Sequence, residues 1–120
     1  MFELTVKDEI SSAHFLRGYP GKCKDMHGHT WKIEVSLLGE KLNDIGMVTD
    51  FAVLKKQFKE FLSALDHTCL NDIEFFKENN PTAENIAAYI FQGFSKVVAP
   101  LRIKQVRVWE SDRASAIYYE

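Results

Sequence analysis

Alternation of apolar and polar residues predicts four strands. At the N-terminus Phe2, Leu4 and Val6 alternate with polar residues, which is the period-two pattern of a half-buried strand. We expect this first strand to run on toward His14, with a bulge near Ser11-Ser12. The other predicted strands are residues 29–38, a segment around Val106 and Val108, and residues 116–119.

Two segments with helical spacing of their apolar residues lie between the two pairs of strands. Asp50 is placed to cap the first helix, which should end near Leu65, because an aspartate side chain accepts hydrogen bonds from the free N–H groups of a first turn. Thr82 is placed to cap the second helix, predicted over residues 83–98 and stopped by Pro100.

The predicted order is therefore β-β-α-α-β-β, without a parallel βαβ repeat. This order favours an α+β fold: a four-stranded antiparallel sheet with two helices on one face. At 120 residues we expect a single domain, residues 1–120. A small open sheet leaves two unpaired edges, so we expect neighbouring subunits to pair with them in a homo-oligomer.

Three of the four histidines lie close together in the sequence. His27 and His29 are two residues apart, so their side chains share one face of a strand, the face of Trp31. His14 is predicted on the neighbouring strand. Three imidazoles with one open position are the usual form of a catalytic zinc centre, and the sequence therefore predicts that His14, His27 and His29 bind zinc.

Cys23 precedes the histidine pair in a loop rich in glycine and proline. Its thiolate has two competing interpretations. As a fourth metal ligand it would close the site and make the zinc structural; as a nucleophile or general base it would take part in chemistry beside an open metal. The second cysteine, Cys69, has no flanking chemistry and is interpreted as a packing residue.

Further candidates for chemistry follow the first helix and end the third strand. Asp66-His67 is either an aspartate-oriented imidazole that carries a proton or a histidine stabilised by the end of the helix. Glu110 is either a solvated strand end or a carboxylate that accepts two parallel N–H bonds from a guanidine-like heterocycle edge.

The charge and the apolar runs of the chain argue against some classes of binding partner. The net charge is −2 and no long basic run occurs, which argues against nucleic acid because phosphate binding needs clustered Lys and Arg. No apolar stretch approaches the roughly 20 residues of a membrane span, and the first residues lack the pattern of a signal peptide. We therefore expect no membrane partner, a cytoplasmic location and reduced thiols.

Six motifs in order, nearly from end to end, resemble those of the 6-pyruvoyltetrahydropterin synthase family. They are Ser12-Ala13-His14, Cys23-x-x-x-His27-Gly28-His29, Gly46-Met47-Val48-x-Asp50-Phe51, Leu65-Asp66-His67-x-x-Leu70-Asn71, Asn80-Pro81-Thr82-x-Glu84-Asn85 with Ile86-Ala87, and Val106-x-Val108-x-Glu110. The gap of three residues between Cys23 and His27 is similar to the bacterial, carboxy-forming branch that serves queuosine biosynthesis; the pyruvoyl-forming branch has a longer gap.

The resemblance implies a tunnelling fold, in which the sheets of three subunits form a barrel and two trimers stack into a homohexamer. It implies that zinc is held by the three histidines, that Cys23 is the general base, and that Asp66 and His67 assist proton transfer. Glu110 would anchor the pterin and join the proton relay, and Thr82 would be a further pterin contact.

By the same resemblance the activity is a lyase reaction on 7,8-dihydroneopterin triphosphate that yields 6-carboxy-5,6,7,8-tetrahydropterin, acetaldehyde and triphosphate. Arg17, Lys22 and Lys24 are equal candidates for contacting the triphosphate. Three alternatives stay open: pyruvoyl formation without carbon–carbon cleavage, a non-catalytic zinc-binding module, and hydrolysis by zinc-bound water, which has no need for Asp66-His67 or Glu110.

Overall fold

A computed structural model describes residues 1–21 and 24–120. It contains a four-stranded antiparallel sheet in the order β1-β2-β3-β4, which confirms the predicted sheet. The strands are β1 (Phe2–His14), β2 (His27–Gly39), β3 (Arg102–Ser111) and β4 (Ala114–Tyr118). The second strand begins two residues earlier than predicted, so both members of the histidine pair lie on it.

The two long strands pair without interruption, from Phe2 opposite Gly39 to His14 opposite His27. The predicted bulge near Ser11-Ser12 is therefore wrong. Ser12 is a regular, buried strand residue because its hydroxyl donates a hydrogen bond to the carbonyl of Leu65. The register shifts that do occur lie between β2 and β3, at Ser36/Leu37, and between β3 and β4, at Trp109/Ser111.

The helices confirm both predicted caps. Helix α1 (Phe51–Leu62) begins after Asp50, whose carboxylate accepts from the Ala52 N–H at 2.8 Å. Helix α3 (Ala83–Val98) begins after Thr82, whose hydroxyl oxygen accepts from the Asn85 N–H at 3.1 Å.

Between these helices the chain is more structured than the sequence predicted. It forms a short 3₁₀ turn (Leu70–Asp72) and a five-residue helix, α2 (Glu74–Glu78). Helix α1 also ends at Leu62 rather than near Leu65. Leu65 keeps the apolar spacing because it is fully buried, but it lies in the turn that follows the helix.

The helices cover one face of the sheet and enclose the core. Helix α1 packs on β1, and α3 packs on β3 and β4. The rings of Phe58 and Phe94, with centroids 5.1 Å apart, join the two helices. The largest fully buried side chains are Trp31, Phe58, Phe76, Phe94, Ile10, Ile33, Leu37, Leu54, Leu65, Leu70, Ile86 and Ile90. Within the described part of the chain, none of the helices combines the length and apolar character needed to cross a bilayer.

Candidate metal centre

Three histidines meet where the paired ends of β1 and β2 reach the first turn of α3. His14 lies directly opposite His27 in the strand register, and His29 lies opposite Ser12. The Nε2 atom of His14 is 3.1 Å from Nε2 of His27 and 3.2 Å from Nε2 of His29. The structure thus brings the three predicted ligands together on the helix-covered face of the sheet.

Backbone carbonyls determine which nitrogens point into this cluster with free lone pairs. His14 Nδ1 lies 2.8 Å from the carbonyl oxygen of Pro81, and His27 Nδ1 lies 2.9 Å from that of Asp25. A carbonyl only accepts hydrogen bonds, so each Nδ1 carries the proton of its neutral ring. Both Nε2 atoms then face each other as acceptors at 3.1 Å, an arrangement that a shared cation stabilises.

The spacing and the donor set fit zinc. Zinc–nitrogen bonds of about 2.0–2.1 Å in a tetrahedron place neighbouring ligand nitrogens roughly 3.3–3.4 Å apart, close to the two observed separations of 3.1 and 3.2 Å. Glu110 joins the histidines in a group whose ligand atoms all lie within 4.8 Å of one another. Its Oε1 atom is 3.6 Å from His29 Nε2.

Burial favours the neutral imidazole that a metal requires. His14 is 2% exposed, and the fully buried indole of Trp31 packs beneath it. The His29 ring also contacts that indole, with centroids 4.0 Å apart. Desolvation lowers the pKa of His14; the carbonyl of Pro81 opposes this shift, while the other two histidines add to it. His14 is therefore held in its metal-binding form.

Asp66 and His67 form a separate pair beside the histidine cluster. His67 Nδ1 lies 3.0 Å from Asp66 Oδ2, and the ring is largely exposed. The other carboxylate oxygen accepts from the Ser11 N–H at 2.8 Å, and the His67 N–H donates to the Ser11 carbonyl at 2.7 Å. The Ser11 N–H is the main cause of a lowered pKa of Asp66, with a further contribution from His67.

This pair is outside the group of four converging side chains, although His67 and His29 line the same surface depression. His67 has a left-handed backbone, with φ of 55°, a conformation that is uncommon for residues other than glycine. Its anchoring to β1 through Ser11 keeps an exposed imidazole next to the cluster. The arrangement suits a group that passes protons to and from solvent.

A cavity of about 370 Å³ opens beside the histidine cluster. His14, Glu110 and Thr82 all line it, together with Tyr19 and the start of β4. Thr82 also caps α3, so its hydroxyl oxygen is already engaged with the Asn85 N–H. The cavity therefore has a carboxylate and one imidazole of the histidine cluster on its wall, polar groups of the kind that orient a small ligand in a pocket.

The other residues predicted to take part in chemistry or phosphate binding lie in several different settings. Cys23 and Lys22 lie outside the described residues. The Arg17 guanidinium donates to the carbonyl of Phe76 at 2.7 Å, while Lys24 is exposed. Cys69 is a half-buried free thiol that forms a parallel bridge with Ala13 through its backbone. The sequence interpretation missed the carbonyl of Pro81, because a backbone atom leaves no signal in residue type.

This chain is similar to known proteins both in its sequence and in its fold. The family model described as 6-pyruvoyl tetrahydropterin synthase matches residues 3–120. The 6-carboxy-5,6,7,8-tetrahydropterin synthase of Bacillus subtilis (strain 168) is 35% identical over 126 aligned positions, covering 98% of this chain and 84% of that protein. The 6-pyruvoyl tetrahydrobiopterin synthase of Homo sapiens is 36% identical over 102 positions, covering 82% and 70%.

Among solved structures, 6-pyruvoyl tetrahydropterin synthase of Caenorhabditis elegans has a TM-score of 0.87 to this chain at 32% identity. The superposition covers 99% of this chain and 95% of that one. Relatives named for the carboxy product and for the pyruvoyl product are thus about equally similar to this chain.

Proposed function

The chain belongs to the 6-pyruvoyl tetrahydropterin synthase family, and we propose that it is a zinc-dependent lyase of the carboxy-forming branch. Its substrate is 7,8-dihydroneopterin triphosphate, and its products are 6-carboxy-5,6,7,8-tetrahydropterin, acetaldehyde and triphosphate, as queuosine biosynthesis requires. The observation that carries the proposal is the convergence of three Nε2 atoms, two of them with their Nδ1 protons committed to carbonyls.

His14, His27 and His29 hold the zinc through these nitrogens. Neutral imidazoles leave the full positive charge on the ion, which when bound supplies a Lewis acid for the hydroxyl oxygens of the substrate side chain. The gap of three residues between Cys23 and His27 supports the carboxy-forming assignment.

Cys23, Asp66 and His67 move the protons. Cys23 is the general base that removes a proton from a side-chain carbon of the substrate. His67, oriented by Asp66 at 3.0 Å and open to solvent, returns or relays a proton. The Ser11 N–H donates to the other oxygen of the Asp66 carboxylate at 2.8 Å, which fixes the carboxylate that orients His67.

Glu110 and Thr82 bind the pterin in the cavity of about 370 Å³. A carboxylate accepts two parallel N–H bonds from a guanidine-like ring edge, and Glu110 lies 3.6 Å from His29, so such a ring would lie next to the metal. In this proposal Glu110 also joins the proton relay. Thr82 contributes a further contact from its position just before α3.

We further propose a homohexamer in which the single domain, residues 1–120, joins a tunnelling barrel through its sheet edges. Strands β1 and β4 are the two edges of the sheet. Exposed apolar side chains cluster near the first residue of β1, where Phe2, Met47 and Phe51 line one groove. A cytoplasmic location fits the role of Cys23 as a base, because the reducing cytosol preserves free thiols.

The Cys23→Ala variant tests the proposal. We expect it to retain zinc and fold but to lose turnover, since the base is removed and the three ligands are not. The matched control is Cys69→Ala, which should keep turnover. Retained turnover in Cys23→Ala would reject the base, and loss of zinc together with stability would instead support a structural metal module.

The product separates the two catalytic branches. Relatives named for each product are 35% and 36% identical to this chain, so pyruvoyl formation is the second candidate. We expect acetaldehyde release from 7,8-dihydroneopterin triphosphate. A pyruvoyl product without acetaldehyde would reassign the protein to the other branch while leaving the zinc site and Cys23 in their roles.

A further inference from the structure

Two asparagine side chains take the place of a neighbouring strand beyond the end of β1. The Asn71 amide oxygen accepts from the Phe15 N–H at 3.0 Å, and its nitrogen donates to the Phe15 carbonyl at 3.0 Å. Asn80 repeats this arrangement two residues further on, with Arg17, at 3.0 and 2.9 Å. Each amide therefore pairs with both backbone groups of one residue, as a strand would.

These contacts continue a series that starts earlier on the same edge of β1. Ser11 is bonded by the Asp66 carboxylate and the His67 N–H, and the Ala13 N–H donates to the Thr68 carbonyl at 2.9 Å. Residues 11, 13, 15 and 17 thus all face the segment 66–80. On β1, residues two apart direct their backbone groups to the same side, and the contacts of Phe15 and Arg17 continue this series past the end of the strand at His14.

Asn80 directly precedes the residue whose carbonyl lies against the His14 ring. The next residue, Pro81, accepts from His14 Nδ1 at 2.8 Å. The Asn80 carbonyl accepts from the side-chain amide of Asn85 at 2.9 Å, which ties this turn to α3. His14 is therefore held from two directions: through the peptide that follows it, by Asn71, and through its ring, by the turn of Asn80 and Pro81.

We propose that Asn71 and Asn80 are positioning residues for the metal ligand His14. An amide side chain carries a donor and an acceptor side by side, so it can bond the N–H and the carbonyl of one residue at the same time. Partners that orient a metal-binding histidine raise metal affinity. The proposal rests on the metal-binding part of the proposed function and is independent of which pterin product is made.

The test compares Asn80→Asp with Asn79→Asp in the full chain. The aspartate at position 80 still accepts from the Arg17 N–H but sets an oxygen against the Arg17 carbonyl, which removes half of the pair. Asn79 is the matched control because its amide donates to Phe75 in α2, at 2.9 Å, and does not belong to the series along β1.

Two measurements are made on each variant: zinc affinity by competition with a chromogenic chelator, and the visible absorption of the Co²⁺-loaded protein. We expect Asn80→Asp to bind zinc about 10- to 100-fold more weakly with an altered Co²⁺ spectrum, which reports ligand geometry. Asn79→Asp should match the unchanged chain in both. A purely structural role would lower the thermal midpoint of the metal-free protein without changing the spectrum of the folded, loaded one.

Unchanged affinity and spectrum in Asn80→Asp would overturn the proposal, as would equal losses in Asn79→Asp. If Asn80→Asp does not fold, Asn80→Ser is measured and decides by the same criteria, since Asn80 is only half-buried and serine adds no charge. The proposed enzyme activity is tested separately. If the unchanged chain binds zinc but releases no triphosphate from the substrate, the activity is rejected. The positioning role of Asn80 is then still decided by the zinc affinities of the variants.

Discussion

The Nε2 atoms of His14 and His27 lie 3.1 Å apart while both Nδ1 atoms lie within hydrogen-bonding distance of backbone carbonyls. Neutral rings in this arrangement have no proton to share between them, so their lone pairs repel unless a cation lies in between. The backbone carbonyls of Pro81 and Asp25 keep the proton of each ring on Nδ1, so the repulsion between the two Nε2 atoms is not relieved by a change of tautomer. A pair built in this way is prepared for a metal.

His14→Ala should abolish stoichiometric zinc binding, because it removes the most buried ligand and leaves the Pro81 carbonyl without its donor. In the unchanged chain, free zinc at about 100 times its Kd should raise the free energy of unfolding by about 2.7 kcal/mol. Denaturant titrations with and without zinc measure the loss. His67→Ala is the control and should keep the full zinc effect; loss there would place His67 among the ligands.

Glu110→Gln should leave zinc affinity close to that of the unchanged chain but weaken pterin binding. Three histidines already supply the ligands of an open zinc site, and the Glu110 carboxylate lies on the wall of the cavity, 3.6 Å from His29. The amide loses one of two acceptors for the ring edge, and truncating such a charged bond costs about 1.5–3 kcal/mol. Zinc content and substrate affinity are measured separately; a variant that loses zinc would make Glu110 a ligand.

Asp66 should stabilise the metal-free protein at neutral pH, and this contribution should be lost in acid. Its folded-state pKa is lowered, chiefly by the Ser11 N–H, so its contribution is present above the unfolded-state pKa of about 3.9. That contribution is lost as the pH falls through the lowered folded-state value.

The free energy of unfolding of the unchanged chain and of Asp66→Asn, followed from neutral pH into acid, measures this effect. The two should differ at neutral pH and converge in acid. A difference that stays constant with pH would contradict the assignment, because it would not depend on ionisation of Asp66.

Substitution by alanine should change stability at one glycine of β2 and not at another. A Cβ at Gly39 would lie 2.3 Å from Val48 Cγ1, so Gly39→Ala should destabilise the protein by about 1–3 kcal/mol through overpacking. Among residues 1–21 and 24–120, a Cβ at Gly28 would meet only the Ser12 carbonyl, at 3.8 Å, so Gly28→Ala should keep stability and zinc affinity. Thermal unfolding of both variants checks the contrast, and a large loss in Gly28→Ala would contradict it.

Periodicity predicted most of the fold because burial on one face of a strand or helix is a local property. The alternation of β1 and β2, the caps Asp50 and Thr82, and the shared face of His27 and His29 were all confirmed. The helix α2 (Glu74–Glu78) was missed, since five residues are too few to establish a helical period. The bulge expected at Ser11-Ser12 was wrong, because β1 and β2 pair residue for residue through this segment.

The sequence by itself determined which residue types could bind a metal and that His27 and His29 would share a face, because side-chain direction alternates along a strand. Only the tertiary structure decided that His14 lies opposite His27, that the Pro81 carbonyl holds its tautomer, and that Asn71 and Asn80 extend the edge of β1. Those contacts join residues more than ten positions apart. Their geometry follows from the packing of the whole sheet against its helices, which no local pattern encodes.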